Sequence, residues 1–137
     1  MATEQNLSEA RRWFRQAEDD LGAARILWAN QKFAQACFLC QQAAEKGIKA
    51  IWYWFDQDPW GHSVVKLIED LENEKIRNRL LTFRDRALTL DRLYIPTRYP
   101  NGLPELTPSE AFSMSDAKLA DEAASDLLEV TREILKL

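Results

Sequence analysis

The sequence predicts an all-α fold, an antiparallel up-and-down helical bundle of four to five helices, and three observations carry that prediction. Apolar residues recur every three or four positions along several long stretches, the spacing that gathers them on one side of a helix. The 137 residues include only four glycines and five prolines, and most of the prolines fall between Pro96 and Pro108, so the rest of the chain runs nearly uninterrupted. Hydrophobic residues make up 46% and charged residues 29%, the balance of a folded chain with a core of its own. That length suits one domain, expected over residues 8–137, with a flexible N-terminus at 1–7.

Ser8 is positioned to cap a first helix, with Glu9 in its opening turn where a negative charge suits the helix dipole. The helix should reach about Ala29 and bury Trp13, Ala17, Leu21, Ala24 and Trp28. Asn30 to Lys32 then form a short connection, which makes the next helix its antiparallel neighbour.

That second helix, Phe33 to about Asp56, organises the chain. Phe33, Ala36, Cys37, Cys40, Ala44, Gly47, Ile48 and Ile51 form one apolar stripe, and Pro59 and Gly61 follow to end it. Gly47 inside the stripe costs about 1 kcal/mol relative to alanine, so another helix is expected to cross closely over it. The adjoining flank mixes Phe38 and Trp52 with Gln41, Glu45, Lys46 and Lys49. Glu45 and Lys49 have the i, i+4 order of an exposed ion pair, but their aromatic neighbours point equally to a ligand cleft or a dimer seam.

Ser63 should cap a third helix that buries Val64, Leu67, Ile68 and Leu71. A fourth is expected from about Glu74 to Tyr94, using Ile76, Leu80, Phe83, Ala87, Leu90 and Tyr94. The proline-rich segment from Ile95 to Met114 has no periodicity, and loops of that length in compact domains are often functional. Ser115 is expected to cap a last helix, with Leu119, Ala123, Leu127, Val130 and Ile134 inward.

Net charge is -4, which argues against a nucleic-acid coat but leaves room for a small basic patch. The N-terminus has no signal-peptide core and no run is long enough to span a bilayer, so a cytoplasmic protein is expected. Cys37 and Cys40 form a single C-x-x-C on the buried stripe, without the second pair or histidine that zinc requires; they read as packing, and no metal or cofactor is expected. His62, the only histidine, lies between a glycine and a helix start and reads as structural; as a general base it would need an arginine or nucleophile that its sequence neighbours do not supply. Arg77, Arg79, Arg84, Arg86 and Arg92 are interleaved with acids and read as a paired, solvated face. Arg98 differs. It sits between Tyr94 and Tyr99 in YIPTRYPN, where one guanidinium and two phenol rings can clamp a phosphate and stack a base, with Asn101 beside them.

QQAAEKGIKA, then GHS opening a helix, then LDRLYIPTRYPN together resemble the HEPN domain family, and the resemblance runs from about Trp13 to the C-terminus. It implies a helical bundle, commonly a homodimer, with a nucleotide- or RNA-related role. It also implies a partner, since prokaryotic members are often encoded beside a minimal nucleotidyltransferase in toxin-antitoxin or related pairs. HEPN ribonucleases carry an arginine followed four to six residues later by a histidine; here His62 has no arginine in that window and no histidine follows Arg98. The carry-over is therefore a non-catalytic module binding nucleotide or RNA at Tyr94, Arg98, Tyr99 and Asn101. A metal-independent ribonuclease toxin and a helical adaptor without a ligand are the alternatives.

Overall fold

The computed structural model describes residues 3–137, and among these there are seven α-helices and no strand. In chain order the helices are α1 (Glu4–Ala29), α2 (Phe33–Trp54), α3 (Val64–Glu69), α4 (Glu74–Leu81), α5 (Arg84–Asp91), α6 (Pro108–Ala111) and α7 (Met114–Leu135). The three long ones, α1, α2 and α7, pack against one another, and α3 and α5 close the bundle against α2. Alanines make this packing close: Ala10, Ala17 and Ala24 on α1, Ala36, Ala43, Ala44 and Ala50 on α2, and Ala117, Ala120, Ala123 and Ala124 on α7 are all buried. Phe14, Ile48, Ile51 and Leu127 fill the space between them, each buried side chain contributing about 1.5–3 kcal/mol.

Gly47 lies where α7 crosses α2, and a Cβ there would stand 2.6 Å from Leu128 Cδ2. The α1–α2 connection turns on Gln31, whose φ of 65° lies in the left-handed region, while the Asn30 and Lys32 amides bond back to carbonyls of the last turn of α1.

Four boundaries differ from those the sequence suggests. α1 begins at Glu4, because Thr3 rather than Ser8 caps it, its hydroxyl accepting from Asn6 N at 3.1 Å. Most of the segment expected to be flexible is therefore helical; its first two residues lie outside the described ones. The expected fourth helix is two. The Thr82 hydroxyl bonds back to the Arg79 carbonyl at 2.7 Å and Phe83 N reaches Leu80 O, an i to i+3 turn that interrupts the helix between α4 and α5. The loop after α5 contains a 3-10 turn, Pro100–Gly102, and α6, which Thr107 and Glu110 cap reciprocally. Finally, Ser113 and Asp116 form the capping box of α7, so Ser115 falls within its first turn. Leu119, expected inward, is 55% exposed, because the alanine-lined side of α7 is the one drawn against α1 and α2. No helix is long and apolar enough to cross a membrane among the described residues.

Candidate functional site

The turn that leaves α5 is pinned from inside. Thr97 is buried and its hydroxyl donates to the Leu93 carbonyl, while Arg98 N reaches Ile95 O at 3.1 Å. Arg98 is thereby folded back over the turn, its Nε donating to the Tyr94 carbonyl at 2.9 Å. The guanidinium carbon lies 4.4 Å from the Tyr94 ring centroid, 4.5 Å from Phe38 and 5.0 Å from Tyr99. Three ring faces around one cation hold it in place by about 0.5–1 kcal/mol each where exposed, and more where water is excluded. Among the described residues no carboxylate pairs with Arg98, and its two terminal nitrogens have no protein acceptor. The cation is oriented but not neutralised.

Tyr94 also receives the histidine. The His62 ring stacks on it with centroids 4.8 Å apart and planes 16° from parallel. Gly61, at φ 91°, makes the reversal that brings His62 there, a backbone conformation that suits glycine. Ser63 then starts α3, which the Asp91 carboxylate anchors by accepting from Val64 N at 2.6 Å and from the Ser63 hydroxyl at 2.6 Å. On α2, Phe38, Gln41, Glu45 and Lys49 follow each other at three- and four-residue intervals and so share one face. Gln41 donates to the His62 carbonyl at 2.9 Å, and Glu45 Oε1 lies 3.3 Å from His62 Nδ1. Glu45 is 4% exposed, and its second oxygen takes the Lys49 ammonium at 3.1 Å. A buried carboxylate at Nδ1 favours the tautomer protonated there, leaving Nε2 as the acceptor on a ring whose side chain is 59% exposed.

The remaining face of α2 continues toward α1. Lys46 pairs with Asp20 at 2.5 Å, and Gln16 fixes the other Asp20 oxygen at 2.9 Å. Lys49 Nζ lies 5.9 Å over the Trp13 ring, which tilts against Tyr53 at 5.1 Å. Burial, then the nearby carboxylates of Glu9 and Asp58, raise the Tyr53 phenol above its ordinary pKa. Trp13 and Tyr53 border a groove of about 600 Å³ with Arg12, Arg15 and Lys46.

A family model described as the HEPN domain matches residues 10–137. The chain belongs to the HEPN domain family. Its fold is similar to that of TT1696 from Thermus thermophilus, with a TM-score of 0.84 and 32% identity over 91% of this chain and 97% of that one. ST0689, described as an archaeal HEPN homologue, gives a TM-score of 0.77 and 31% identity over 93% of this chain and 98% of its own. In sequence, the chain is 27% identical to "Putative toxin MJ1304" of Methanocaldococcus jannaschii, over 96% of this chain and 91% of that protein.

In this HEPN chain the structure groups Tyr94, Arg98, Tyr99 and Phe38 around the cation, and joins Gln41, Glu45, Lys49 and His62 to them through the Tyr94 ring. Asn101 is exposed on the next turn, and no side-chain hydrogen bond ties it to the cluster. Trp52, placed by its sequence neighbours on a cleft or seam, instead packs against the core and donates its indole N–H to the Leu67 carbonyl at 3.0 Å. Its ring has enough apolar area to be drawn under α3, and the carbonyl at the far end satisfies its one donor. His62 stands among ionisable and aromatic groups that its sequence neighbours could not reveal, since Tyr94 lies in a different segment of the chain. Trp13 and Tyr53 carried no sequence signal beyond helical packing. Cys37 and Cys40 are buried, and burial pushes the Cys37 thiol up to about 12 and Cys40 higher still, so neither offers a thiolate near neutrality. Of the arginines read as a paired face, Arg79 pairs with Glu133, Arg86 with Asp126 and Arg84 with Glu69, and Arg77 donates to the Leu71 carbonyl, whereas Arg92 is exposed and takes part in no ion pair among the described residues.

Proposed function

We infer that this HEPN chain is a non-catalytic module that binds a nucleotide or RNA at the Arg98 cluster and acts with a separately encoded minimal nucleotidyltransferase, as a homodimer. One observation carries the reading: Arg98 is held among three aromatic rings with its fork unpaired, the arrangement that suits a phosphate on the guanidinium and a base on a ring. Calorimetric titration with AMP, GMP and the corresponding triphosphates tests it. The expected result is saturable binding that Arg98→Ala weakens at least tenfold; no heat with any of them would leave a helical adaptor without a ligand. The homodimer is tested by light scattering, where a single-chain mass at high concentration removes it. The partner is tested by co-purification with a co-expressed nucleotidyltransferase.

A second reading, a metal-independent ribonuclease toxin, is favoured by the Glu45–His62 pair beside Arg98 and by the name of the archaeal relative. His62 Nε2 would take the proton of a ribose 2′-hydroxyl, whose oxygen attacks the adjacent phosphorus as the phosphorus–5′-oxygen bond breaks; the 5′-oxygen takes a proton from solvent water, giving a 2′,3′-cyclic phosphate and a 5′-hydroxyl. Arg98 would hold the non-bridging oxygens. Incubation with tRNA separates the readings: cleavage abolished by both His62→Ala and Arg98→Ala supports the toxin, and intact RNA at high protein concentration supports the binding module.

A further inference from the structure

The Arg98 cluster and the α1–α2 groove are linked by an unbroken series of side-chain contacts. Tyr99 and Arg98 meet Tyr94, Tyr94 stacks on His62, His62 joins Glu45, and Glu45 holds Lys49. Lys49 then lies over Trp13, which meets Tyr53. From Phe38 to Tyr53 the helix rises about 22 Å, far more than one nucleotide and enough for roughly six stacked nucleotides, or fewer stretched ones.

The far end repeats two parts of the near end's chemistry, aromatic rings and a free cation, with acidic groups beside them. Two aromatic rings, both partly exposed, stand beside basic side chains in an open groove. Lys46 is balanced by Asp20 and Arg12 by Glu9, so neither adds net charge. Arg15 is exposed and takes part in no ion pair among the described residues, so it is free to meet a phosphate as Arg98 is at the other end, with the Asp58 carboxylate near Tyr53 setting the far limit of the groove's positive side. Sequence-tolerant stacking on aromatic rings, flanked by cations for the backbone, is how single strands are held.

We propose that the groove between α1 and α2, at Trp13, Arg15 and Tyr53, is a second subsite, and that the ligand is a single-stranded oligoribonucleotide laid along α2 from Arg98 to Tyr53. This rests on the reading of Arg98 as a phosphate-binding cation. It adds that a mononucleotide fills only one end.

Calorimetry with AMP and with oligoadenylates of two, four and six residues is the test. Affinity is expected to climb at least tenfold from AMP to the hexamer. Arg15→Glu, at an exposed and unpaired position, should remove most of that gain and leave AMP binding unchanged; Tyr53→Ala should act the same way. Arg98→Ala should weaken AMP and hexamer alike. Equal affinity for AMP and hexamer, or a hexamer indifferent to Arg15→Glu, overturns the second subsite while the Arg98 site stands. Hexamer binding that depends on Arg15 but not on Arg98 overturns the continuous track and the Arg98 reading with it. Unfolding midpoints of the variants, expected within a few degrees of the parent for Arg15→Glu, separate lost binding from lost fold.

Discussion

At Gly47 two substitutions of different size should part company. A methyl group there must displace the Cδ2 of Leu128, 2.6 Å from the added carbon, but the displaced atom is the end of a side chain and alanine regains about 1 kcal/mol of helix propensity. Gly47→Ala should therefore stay within about 1 kcal/mol of the parent in urea unfolding, whereas Gly47→Val, with two more carbons against α7, should lose about 2–3 kcal/mol. Equal behaviour of the two would mean that α7 does not press on this position. The thiols give a second test. Cys37 is raised by burial, and to a lesser extent by Asp116, to about 12, while an unfolded thiol ionises near 8.5. The unfolded chain loses its proton first. This contribution to stability is thus fully present below about pH 8.5 and is lost as pH rises toward the folded value. Unfolding midpoints should fall across that alkaline window, and less so in a Cys37→Ala, Cys40→Ala double variant.

Asp91 shows how one element positions another. It ends α5, yet its carboxylate serves the start of α3, accepting from Val64 N, Val65 N and the Ser63 hydroxyl. Asp91→Ala orphans two partly buried amides and should cost about 1–3 kcal/mol, read from chemical denaturation. Because the same anchor fixes the Gly61–Ser63 turn, AMP affinity should fall more than in a surface variant of equal stability. Unchanged affinity would show that His62 keeps its place without α3. The helices themselves were legible because their stripes are local. The break between α4 and α5 was hidden for the same reason: Leu80, Ala87 and Leu90 keep helical phase across it, and only the back-bonded Thr82 marks the interruption. The last helix was legible in its extent but not in its phase, since alanine contributes little to an apolar stripe and yet decides which side packs closest.

Over the whole molecule, the same distinction between local and distant pairing explains which parts of the candidate site could be read from sequence. Tyr94, Arg98 and Tyr99 are neighbours in the chain and announce themselves as a group. Glu45, His62 and Tyr94 come from three different segments, and only the bundle brings them together. Distance along the chain also separates two sets of charges that salt should affect differently. Arg25–Asp121, Arg86–Asp126, Arg79–Glu133 and Arg132–Glu18 tie α7 to α1, α4 and α5, and the hydrogen bonds to Asp121 raise the pKa of Arg25. The arginines are about half-exposed, so each pair contributes at most about 1 kcal/mol, and the buried alanine packing beneath them is indifferent to salt. Arg98 and Arg15 have no carboxylate to fall back on, so a bound single strand would feel the full effect of salt. Two phosphates neutralised give a slope near -1.4 in log affinity against log salt, or about a sevenfold loss from 50 to 200 mM. The expected pattern is a hexamer affinity that drops by that order while the thermal midpoint moves only a few degrees. If both fall together, salt is loosening the bundle; if neither falls, whatever the protein binds is not held by its phosphates.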